Sequence, residues 1–448
     1  MTFPLSFEGR IGRPAYLLWS VAAFFSQHLF VLVACRLLRR MPDMDVLFWV
    51  APLRALATQA QASNIILILG FAYFLIVAWV LAALAFRRAA DANISESTAA
   101  AAMAPIVQIP VILFLAVAPP RTAGAETAPA RDLDAKDYWA AVLGVVAGIG
   151  VTLAAVAVST LVFGLYGFGL FVMSPFVIGA TTGYFANRKT DIGGGATAKL
   201  VIGATLLGGI GLVLAALEGV VCIVLASPLA GGVALIGGLA GRGIALAGKR
   251  PTRQIVPAFA LLPVVFALEH LFAVPTNFDT LQSVEINAPV DVVWRSILHM
   301  DRIDEPLALP YRLGVAYPIR GEVLGEGVGA VRHGEFSTGI AVERVTEWVP
   351  NQKLAFVVVN DIPAMREMSP YEHVHAPHVV GYFSTRTTSF ELVPRSGAVE
   401  VVLRTSHEIR LDPILYWMPM ARWMVAENNA RVLAHIRRQA ERSFRASN

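Results

Sequence analysis

The chain has 448 residues, of which 56% are hydrophobic and only 15% charged. About a quarter of the residues of a soluble protein are charged, so this composition excludes an ordinary globular protein. The net charge of +4 is small, and the basic residues gather at the ends of apolar segments. That distribution indicates membrane topology and excludes a nucleic-acid-binding protein.

The first apolar segments form an N-terminal membrane block over residues 1–118. A bilayer core about 30 Å thick needs roughly 20 apolar residues in a helix. This length predicts spans at about 15–36, 64–86 and 101–118. The third is the weakest, because Pro105 and Pro110 interrupt it and a Pro-Pro pair ends it. No cleavable signal peptide is expected, since the first apolar stretch is longer than a signal sequence.

Residues 119–137 form a linker rich in proline, alanine and charge, and a second membrane block follows over 138–274. Its apolar tract predicts spans at about 139–162, 166–186, 198–217, 220–246 and 255–273, which gives seven or eight spans in the whole chain. Its many glycines allow close approach of helices, and Pro175 and Pro228 should bend theirs. Cys35 and Cys222 both lie inside predicted spans, which argues against a disulfide framework or a cysteine zinc site.

The basic residues at span ends bear on orientation. Counted over eight spans, they place the C-terminal domain outside the cytoplasm. If residues 101–118 do not span the membrane, the chain has seven spans. The N-terminus can then lie in the cytoplasm while the C-terminal domain stays outside it.

From residue 276 the pattern changes to short alternating segments of ordinary charge density, which predict a separate domain over 276–448. A strand at 280–287 and a helix beginning near Pro289 are followed by strands at 316–324, 329–336, 339–348, 353–359, 385–393 and 398–409. A long helix at about 413–445 closes the chain and begins or bends at Pro419. Its predicted apolar face contains Trp417, Ala421, Met424, Val425, Val432, Leu433 and Ile436.

Two motifs in the first block resemble a small bacterial inner-membrane family, domain-of-unknown-function family 805. Residues 7–13 read F-E-G-R-I-G-R and residues 87–91 read R-R-A-A-D. The family pattern is F-x-G-R-x-x-R, then R-R-x-H-D, so Ala90 replaces its histidine. The resemblance implies a bacterial membrane protein and no particular chemistry.

The chain from 139 to 445 resembles multi-span bacterial membrane proteins that end in an SRPBCC domain (START, birch-pollen allergen and polyketide-cyclase-like). The resemblance is carried by V-E-I-N-A-P-V-D-V-V-W at 284–294, by the segments 309–339 and 369–383, and by L-E-G-V-V-C-I-V-L-A-S-P-L-A-G-G in the membrane block. It implies a helix-grip fold, in which an antiparallel sheet wraps a long C-terminal helix. It does not imply a function, because the superfamily includes lipid carriers, cyclases and regulatory modules.

Several polar residues are candidates for a site. Glu372, His373, His375 and His378 lie close together and could bind a metal, but no cysteine or second cluster completes a tetrahedral site, so we expect a loop or cavity mouth instead. His333 and Glu335 share one face of a predicted strand, which faces either a cavity or solvent. On the next strand Glu343 and Arg344 point to opposite faces, so at most one of them faces the cavity.

Glu218 is the candidate site within the membrane. A charge at mid-bilayer costs on the order of 3 kcal/mol, so it is either a proton or substrate site or a residue at a helix break, which Gly219 makes possible. Glu269 and His270 are expected at the membrane interface.

Three functions remain open. We favour non-catalytic binding of a hydrophobic small molecule or lipid by a membrane-anchored domain, with membrane lipids as partners and without cofactor, metal or nucleic acid. The alternatives are a cyclase or dehydratase that uses His333 and Glu335 or the histidine loop, and a transporter that uses Glu218. The chain lacks a GK[ST] phosphate loop, a G-x-S-x-G elbow and an HExxH motif. The expected ligand-binding residues are Trp294, His333, Glu335, Tyr371, His375, His378, Tyr382 and Trp417.

Overall fold

The computed structural model describes most of both halves of the chain. The described residues are 9–50, 52–56, 64–92, 94, 99, 102, 108–120, 150, 154–156, 158–159, 166–214, 217–247, 266, 269–270, 274–368 and 380–447. The chain divides into two units. The membrane unit comprises Met1–Ala273 with Ser369–Ala376 and Asp412–Tyr416, and the C-terminal unit comprises Val274–Met368, Pro377–Leu411 and Trp417–Asn448.

The membrane unit consists of apolar helices. In chain order they are α1 (Arg13–Leu37), α2 (Val46–Val50), a 3-10 turn (Pro52–Arg54), α3 (Asn64–Ala92), α4 (Gln108–Val117), a π-helical segment (Gly169–Met173) that continues into α5 (Ser174–Asn187), α6 (Gly194–Leu214) and α7 (Val220–Ala247). Five described stretches are long and apolar enough to cross a membrane: α1, α3, the π-helical segment with α5, α6 and α7. The chain therefore has the helices of a multi-pass membrane protein.

The predicted spans correspond to these helices only in part. The segment predicted at 101–118 contains the ten-residue helix α4. At 1.5 Å per residue that helix is about 15 Å long, which is half of a bilayer core. Most of the spans predicted at 139–162 and 255–273, and the linker, lie outside the described residues.

Helices α5 and α7 touch through their backbones at glycines. A Cβ placed on Gly179 or Gly183 of α5 would lie 1.8 or 2.2 Å from a carbonyl oxygen of α7, and one on Gly237 or Gly241 of α7 would lie 2.1 or 2.0 Å from a carbonyl oxygen of α5. Each helix thus carries two glycines four residues apart, on the side that meets the other. Small residues at this spacing allow the close packing that holds helices together in lipid.

The C-terminal unit contains one eight-stranded antiparallel sheet. Its elements are β1 (Thr276–Ile286), α8 (Val290–Leu298), β2 (His299–Met300), α9 (Leu309–Arg312), β3 (Pro318–Leu324), β4 (Val331–Phe336), β5 (Gly339–Val349), β6 (Lys353–Asn360), β7 (Phe383–Arg395), β8 (Ala398–Ile409) and α10 (Ile414–Ser447). The strand order is β1-β8-β7-β6-β5-β4-β3-β2. Register shifts between β3 and β4, β5 and β6, and β7 and β8 bend the strands, and the sheet curls into a half-barrel.

The alternating pattern predicted seven of these strands. It missed the two-residue β2 and the single turn α9, which are too short to show a period. It also started β1 four residues late, since the polar positions Asn277 and Asp279 alternate with buried Phe278. Helix α10 begins at Ile414 and contains Pro419, so the proline does not mark its start.

One face of the sheet carries the core of this unit, and we call it the inner face. Side chains of β1, β3, β5, β6, β7 and β8 form one apolar cluster there with α8 and α10. The residues that α10 contributes to it are Leu433, Ile436 and Ala440. Trp417, Val425, Leu433 and Ile436 of its predicted face are buried, whereas Ala421, Met424 and Val432 are half-buried.

The glycine contact between α5 and α7 predicts unequal effects of two alanine substitutions in α7. Gly241→Ala should lower the midpoint of thermal unfolding of the full chain in detergent, because the new methyl group overlaps the Ala180 carbonyl. Gly232→Ala is the matched control, since nothing lies within 4 Å of a Cβ at that position. It should be neutral or stabilising by up to about 1 kcal/mol, because alanine favours a helix. Equal effects of the two substitutions would exclude the packing role.

Candidate functional site

A buried ion pair lies on the inner face of the sheet. Arg332 of β4 and Glu343 of β5 are directly opposite in the register, and the Nη1 group of Arg332 donates to Oε2 of Glu343. Their side chains are 8% and 6% exposed. The guanidinium also lies over the ring of Phe356, with its central carbon 4.6 Å from the ring centroid. A charged pair is thus set among the apolar residues of the core.

Two glycines give the Arg332 side chain its space. Gly321 of β3 and Gly334 of β4 are paired across the strands. A Cβ on Gly321 would lie 2.4 Å from Nη2 of Arg332, and one on Gly334 would lie 3.3 Å from Nη1. The guanidinium therefore occupies volume that two side chains would otherwise fill.

Burial dominates the electrostatics of the pair. It raises the pKa of Glu343, and the nearby charge and hydrogen bond of Arg332 oppose that shift. Asp361, just after β6, also has a raised pKa because it is partly buried. Carboxylates in this part of the unit are therefore protonated more easily than exposed ones.

A second polar group on the inner face centres on His407 of β8. Its Nε2 lies 2.7 Å from Oγ1 of Thr405, and its Nδ1 lies 3.2 Å from Oγ1 of Thr385. The Thr405 hydroxyl lies 2.7 Å from that of Thr280 on β1, and Asn429 of α10 donates to both hydroxyls at 2.9 and 3.1 Å. This network joins three strands to the C-terminal helix.

The His407 ring packs against two phenylalanines that also contact each other, with 6.3 Å between the centroids of Phe278 and Phe383. Its centroid lies 5.2 Å from that of Phe278 and 5.3 Å from that of Phe383, with interplanar angles of 29° and 23°. Burial in this apolar stack lowers the pKa of His407 to about 3. The imidazole is therefore neutral at physiological pH.

In the membrane unit, two glutamates surround the start of the π-helical segment. The Tyr166 hydroxyl donates to Oε1 of Glu218 at 2.8 Å. The Glu269 carboxylate accepts the backbone N–H of Phe168 and, at 3.0 Å, that of Gly169. A Cβ on Gly167 would lie 1.9 Å from Oε1 of Glu269, so the glycine is what lets the carboxylate approach. Helix starts favour negative charge, and π-helical turns are frequent at functional sites.

Two arginines of the first block converge on the end of α4. Arg13 donates through Nε to the Ala118 carbonyl at 2.8 Å, and Arg88 donates to the carbonyls of Leu115, at 3.0 Å, and Ala118. Arg88 is fully buried and also pairs with Asp91. Carbonyls at the end of a helix lack intrahelical partners, and cations satisfy them.

Comparison with known proteins bears on this first block. Residues 4–126 match the family model for "Protein of unknown function (DUF805)". This match confirms the resemblance of the N-terminal part. In the structure, Arg13 and Arg88, which belong to the two motifs, donate hydrogen bonds to carbonyls at the end of α4. No curated protein matches the chain.

Among solved structures, the chain is similar to several bacterial proteins, each over somewhat more than a third of its length. Protein NE0264 from Nitrosomonas europaea is 15% identical, with 37% of this chain and 95% of that chain covered and a TM-score of 0.23. Protein MLL2253 from Mesorhizobium loti is 11% identical, with 37% and 97% covered and a TM-score of 0.24. The Aha1 dimer from Colwellia psychrerythraea is 14% identical, with 36% and 96% covered and a TM-score of 0.22.

Five of the ligand-binding residues predicted from sequence are described by the structure, and they lie at several places in the C-terminal unit. Trp294 of α8 is buried in the core, where its ring meets that of Trp348 edge-on at 5.5 Å. His333 and Glu335 alternate with Arg332 and Gly334 and so lie on the outer face, where Glu335 pairs with Arg320. Tyr382 is half-buried just before β7, and Trp417 is buried on α10.

Two further predictions concern the histidine loop and Glu218. Tyr371, His375 and His378, with the rest of the histidine loop, lie outside the described residues. Glu218 lies in the short connection between α6 and α7, next to Gly219 and 5% exposed. This position fits the helix break that was one of its two expected settings, and its partner Tyr166 is 52 positions away in the sequence.

The sequence reasoning also missed Arg332, His407 and Asn429. In β5 both alternating sets contain apolar residues, Ile340 and Val342 in one and Ala341 and Val345 in the other. The alternating pattern does not show which set faces inward, so it does not show that Glu343 lies on the inner face. A signal for Asn429 was available, since it precedes buried Leu433 by one helical turn.

The buried neutral state of His407 predicts a pH-dependent loss of stability. In the unfolded chain the imidazole has a pKa of about 6.5, so below that pH only the unfolded state takes up the proton until pH falls to about 3. Unfolding free energy should fall by on the order of 3 kcal/mol between pH 6.5 and 4 from this group alone. Glu343 and Asp361 act in the opposite direction, so the measurement needs a variant without His407.

His407→Phe isolates the effect. In thermal unfolding of the full chain in detergent, wild type should be the more stable at pH 7.5, and its advantage should shrink or reverse by pH 4. His299→Gln is the control for removal of a histidine as such, because that side chain is 61% exposed on β2. An unchanged gap between wild type and His407→Phe across this range would show that His407 is not buried in its neutral form.

The Tyr166–Glu218 hydrogen bond predicts how three substitutions compare. Glu218→Gln keeps an acceptor for Tyr166 and should unfold near the wild-type temperature. Glu218→Leu and Tyr166→Phe should each cost on the order of 1 kcal/mol, and together no more than either alone. Thermal unfolding in one detergent is measured for the wild type, the three single variants and the double variant. Additive effects of the Leu and Phe substitutions would contradict the contact.

Proposed function

We propose that residues 276–448 form an SRPBCC-type helix-grip domain that binds a hydrophobic small molecule or lipid without catalysis. The helices of the membrane unit would anchor it in the bacterial inner membrane. The sequence resemblance over 139–445 supports this fold, as does the order of a strand, helices, six antiparallel strands and a long C-terminal helix. The positive charge at span ends favours an extracytoplasmic position for the domain.

One observation carries the proposal: the inner face of the curled sheet is apolar except for a few polar groups at fixed positions. Valine, leucine, isoleucine and phenylalanine side chains cover most of it. The Arg332–Glu343 pair lies among them at one place, and the His407 network lies at another. Ligand sites for hydrophobic molecules have this composition, with apolar walls and a small number of polar groups that fix orientation.

Binding is favoured over catalysis because these polar groups already hold one another. Both ring nitrogens of His407 lie within hydrogen-bond distance of threonine hydroxyls, and its low pKa leaves it a poor base at neutral pH. Arg332 and Glu343 are engaged in their own ion pair. His333 and Glu335, the acid–base pair considered from sequence, lie on the outer face.

Transport remains a second candidate, and the Tyr166–Glu218 contact is the observation that favours it. It sets a carboxylate with a hydroxyl donor beside an interrupted helix, which is how many transporters build their binding sites. A Glu218→Gln protein that folds normally but fails to restore a deletion strain would favour this role.

The binding function is tested on molecules that co-purify with the protein. The full chain and a truncated chain of residues 1–275 are purified in the same detergent, extracted with chloroform and methanol, and compared by mass spectrometry. A hydrophobic compound should accompany the full chain at close to one equivalent and be absent from the truncated chain. The same lipids in equal amounts from both would contradict ligand binding by the C-terminal domain.

A further inference from the structure

We infer that the ligand of the C-terminal domain has an uncharged polar head group, such as an alcohol, ketone or quinone, and not a carboxylate or phosphate. This inference rests on the proposed function and names the chemical class of the molecule that would occupy the same inner face. It follows from how the buried charges of the sheet are balanced and from one hydrogen-bond donor that they leave over.

Every buried ionisable side chain on the described strands is already balanced. Arg332 pairs with Glu343. Glu408 of β8 pairs with both Arg386 and Arg410. His407 is neutral within its threonine network. No buried charge on these strands therefore lacks a partner of opposite sign.

A charged head group would disturb this balance. A ligand carboxylate that paired with Arg332 would lie close to the Glu343 carboxylate, which binds the same guanidinium. Two like charges in a low-dielectric environment repel strongly. An ammonium group near Glu343 would meet Arg332 in the same way. Transfer of an ion from water into an apolar environment is unfavourable unless a partner of opposite charge is free to pair with it.

An uncharged oxygen atom of the ligand can accept a hydrogen bond from the Arg332 donor that lacks an acceptor. The Nε–H group of Arg332 is buried and has no hydrogen-bond acceptor among the described residues, while Nη1 is engaged with Glu343. A buried donor without an acceptor carries a free-energy cost that a ligand oxygen can relieve. A carbonyl or hydroxyl oxygen on the ligand can accept this bond without adding charge. The same guanidinium lies over the Phe356 ring, so the apolar part of the ligand would meet apolar neighbours directly beside its head group.

Two probes that share one alkyl chain test the inference. Decanol and decanoate are titrated into the full chain in detergent at pH 7.5, and binding is measured by calorimetry. Titrations into residues 1–275 in the same detergent correct for binding to micelles and to the membrane unit. Wild type should bind decanol roughly tenfold or more tightly than decanoate, because only decanoate adds a buried charge.

Two variants assign the selectivity to the ion pair. Glu343→Gln removes the balancing charge and leaves Arg332 available, so the preference for decanol over decanoate should fall by roughly tenfold. The double variant Arg332→Gln with Glu343→Gln removes both charges and should keep the preference for decanol. Thermal unfolding without probe shows which variants fold. If Glu343→Gln does not fold, the wild type and the charge-balanced double variant decide the question.

The possible outcomes distinguish failure of this inference from failure of the proposed binding function. Preference of wild type for decanoate, or equal binding of the two probes, overturns the inference and leaves the binding function standing. An unchanged preference in a folded Glu343→Gln variant shows that the ion pair does not set the selectivity and overturns the assignment. If neither probe binds, the inference fails, and co-purification of a compound with the full chain decides whether the binding function fails with it.

Discussion

The packing of the membrane unit depends on direct contact between the backbones of α5 and α7. Lipid chains are as apolar as the side chains they surround, so no hydrophobic force drives one helix against another. Helices in lipid are held together by close packing instead, and this requires that no side chain lie between the two backbones. Gly183 and Gly241 are two of the positions where this condition is met, each with a carbonyl oxygen of the other helix against its Cα. Dispersion contacts along this surface can then stabilise the pair.

Four charged side chains of the same unit lie where helices begin, end or are interrupted. Glu269 accepts backbone N–H groups at the start of the π-helical segment, and Arg13 and Arg88 donate to backbone carbonyls at the end of α4. Glu218 lies between two helices. Away from water a backbone group without an intrahelical partner needs another polar group, and these charged side chains supply it. A structural role therefore accounts for much of the polar content of this unit without any transported substrate.

Sequence patterns predicted the C-terminal unit well at the level of strands and less well at the level of faces. Period-two alternation located seven strands because turns and glycines bound each of them. It could not say which half of the alternation faces inward when both halves are apolar, as in β5. The pattern therefore put His333 and Glu335 among the expected ligand-binding residues and could not choose between Glu343 and Arg344, although Glu343 is the one of these four that is buried on the inner face. The partner of Arg332 is set by strand register, which depends on turn lengths and bulges and not on local composition.

In the membrane unit, hydropathy located the helices but not their partners. The glycines of α7 were expected to permit close packing, but which of them meet α5 depends on the rotation of the helices about their axes. Likewise the Tyr166–Glu218 bond joins residues 52 positions apart and has no local signal. Composition determines what a segment can do in a membrane, whereas the pairing of particular groups is a property of the assembled bundle.

The cross-strand pair Gly321 and Gly334 should change together with Arg332 in evolution. A side chain at 321 would occupy the space of the Arg332 guanidinium, and one at 334 would press against it, since a Cβ at these positions would lie 2.4 and 3.3 Å from its nitrogens. Once the arginine is replaced by a small residue, the two glycines lose their reason to remain and leave a void that larger residues would fill. Related chains should therefore fall into two groups, those that carry the arginine with both glycines and those that carry none of the three. An intermediate sequence would have either a steric overlap or a cavity, so changes at these positions should occur together.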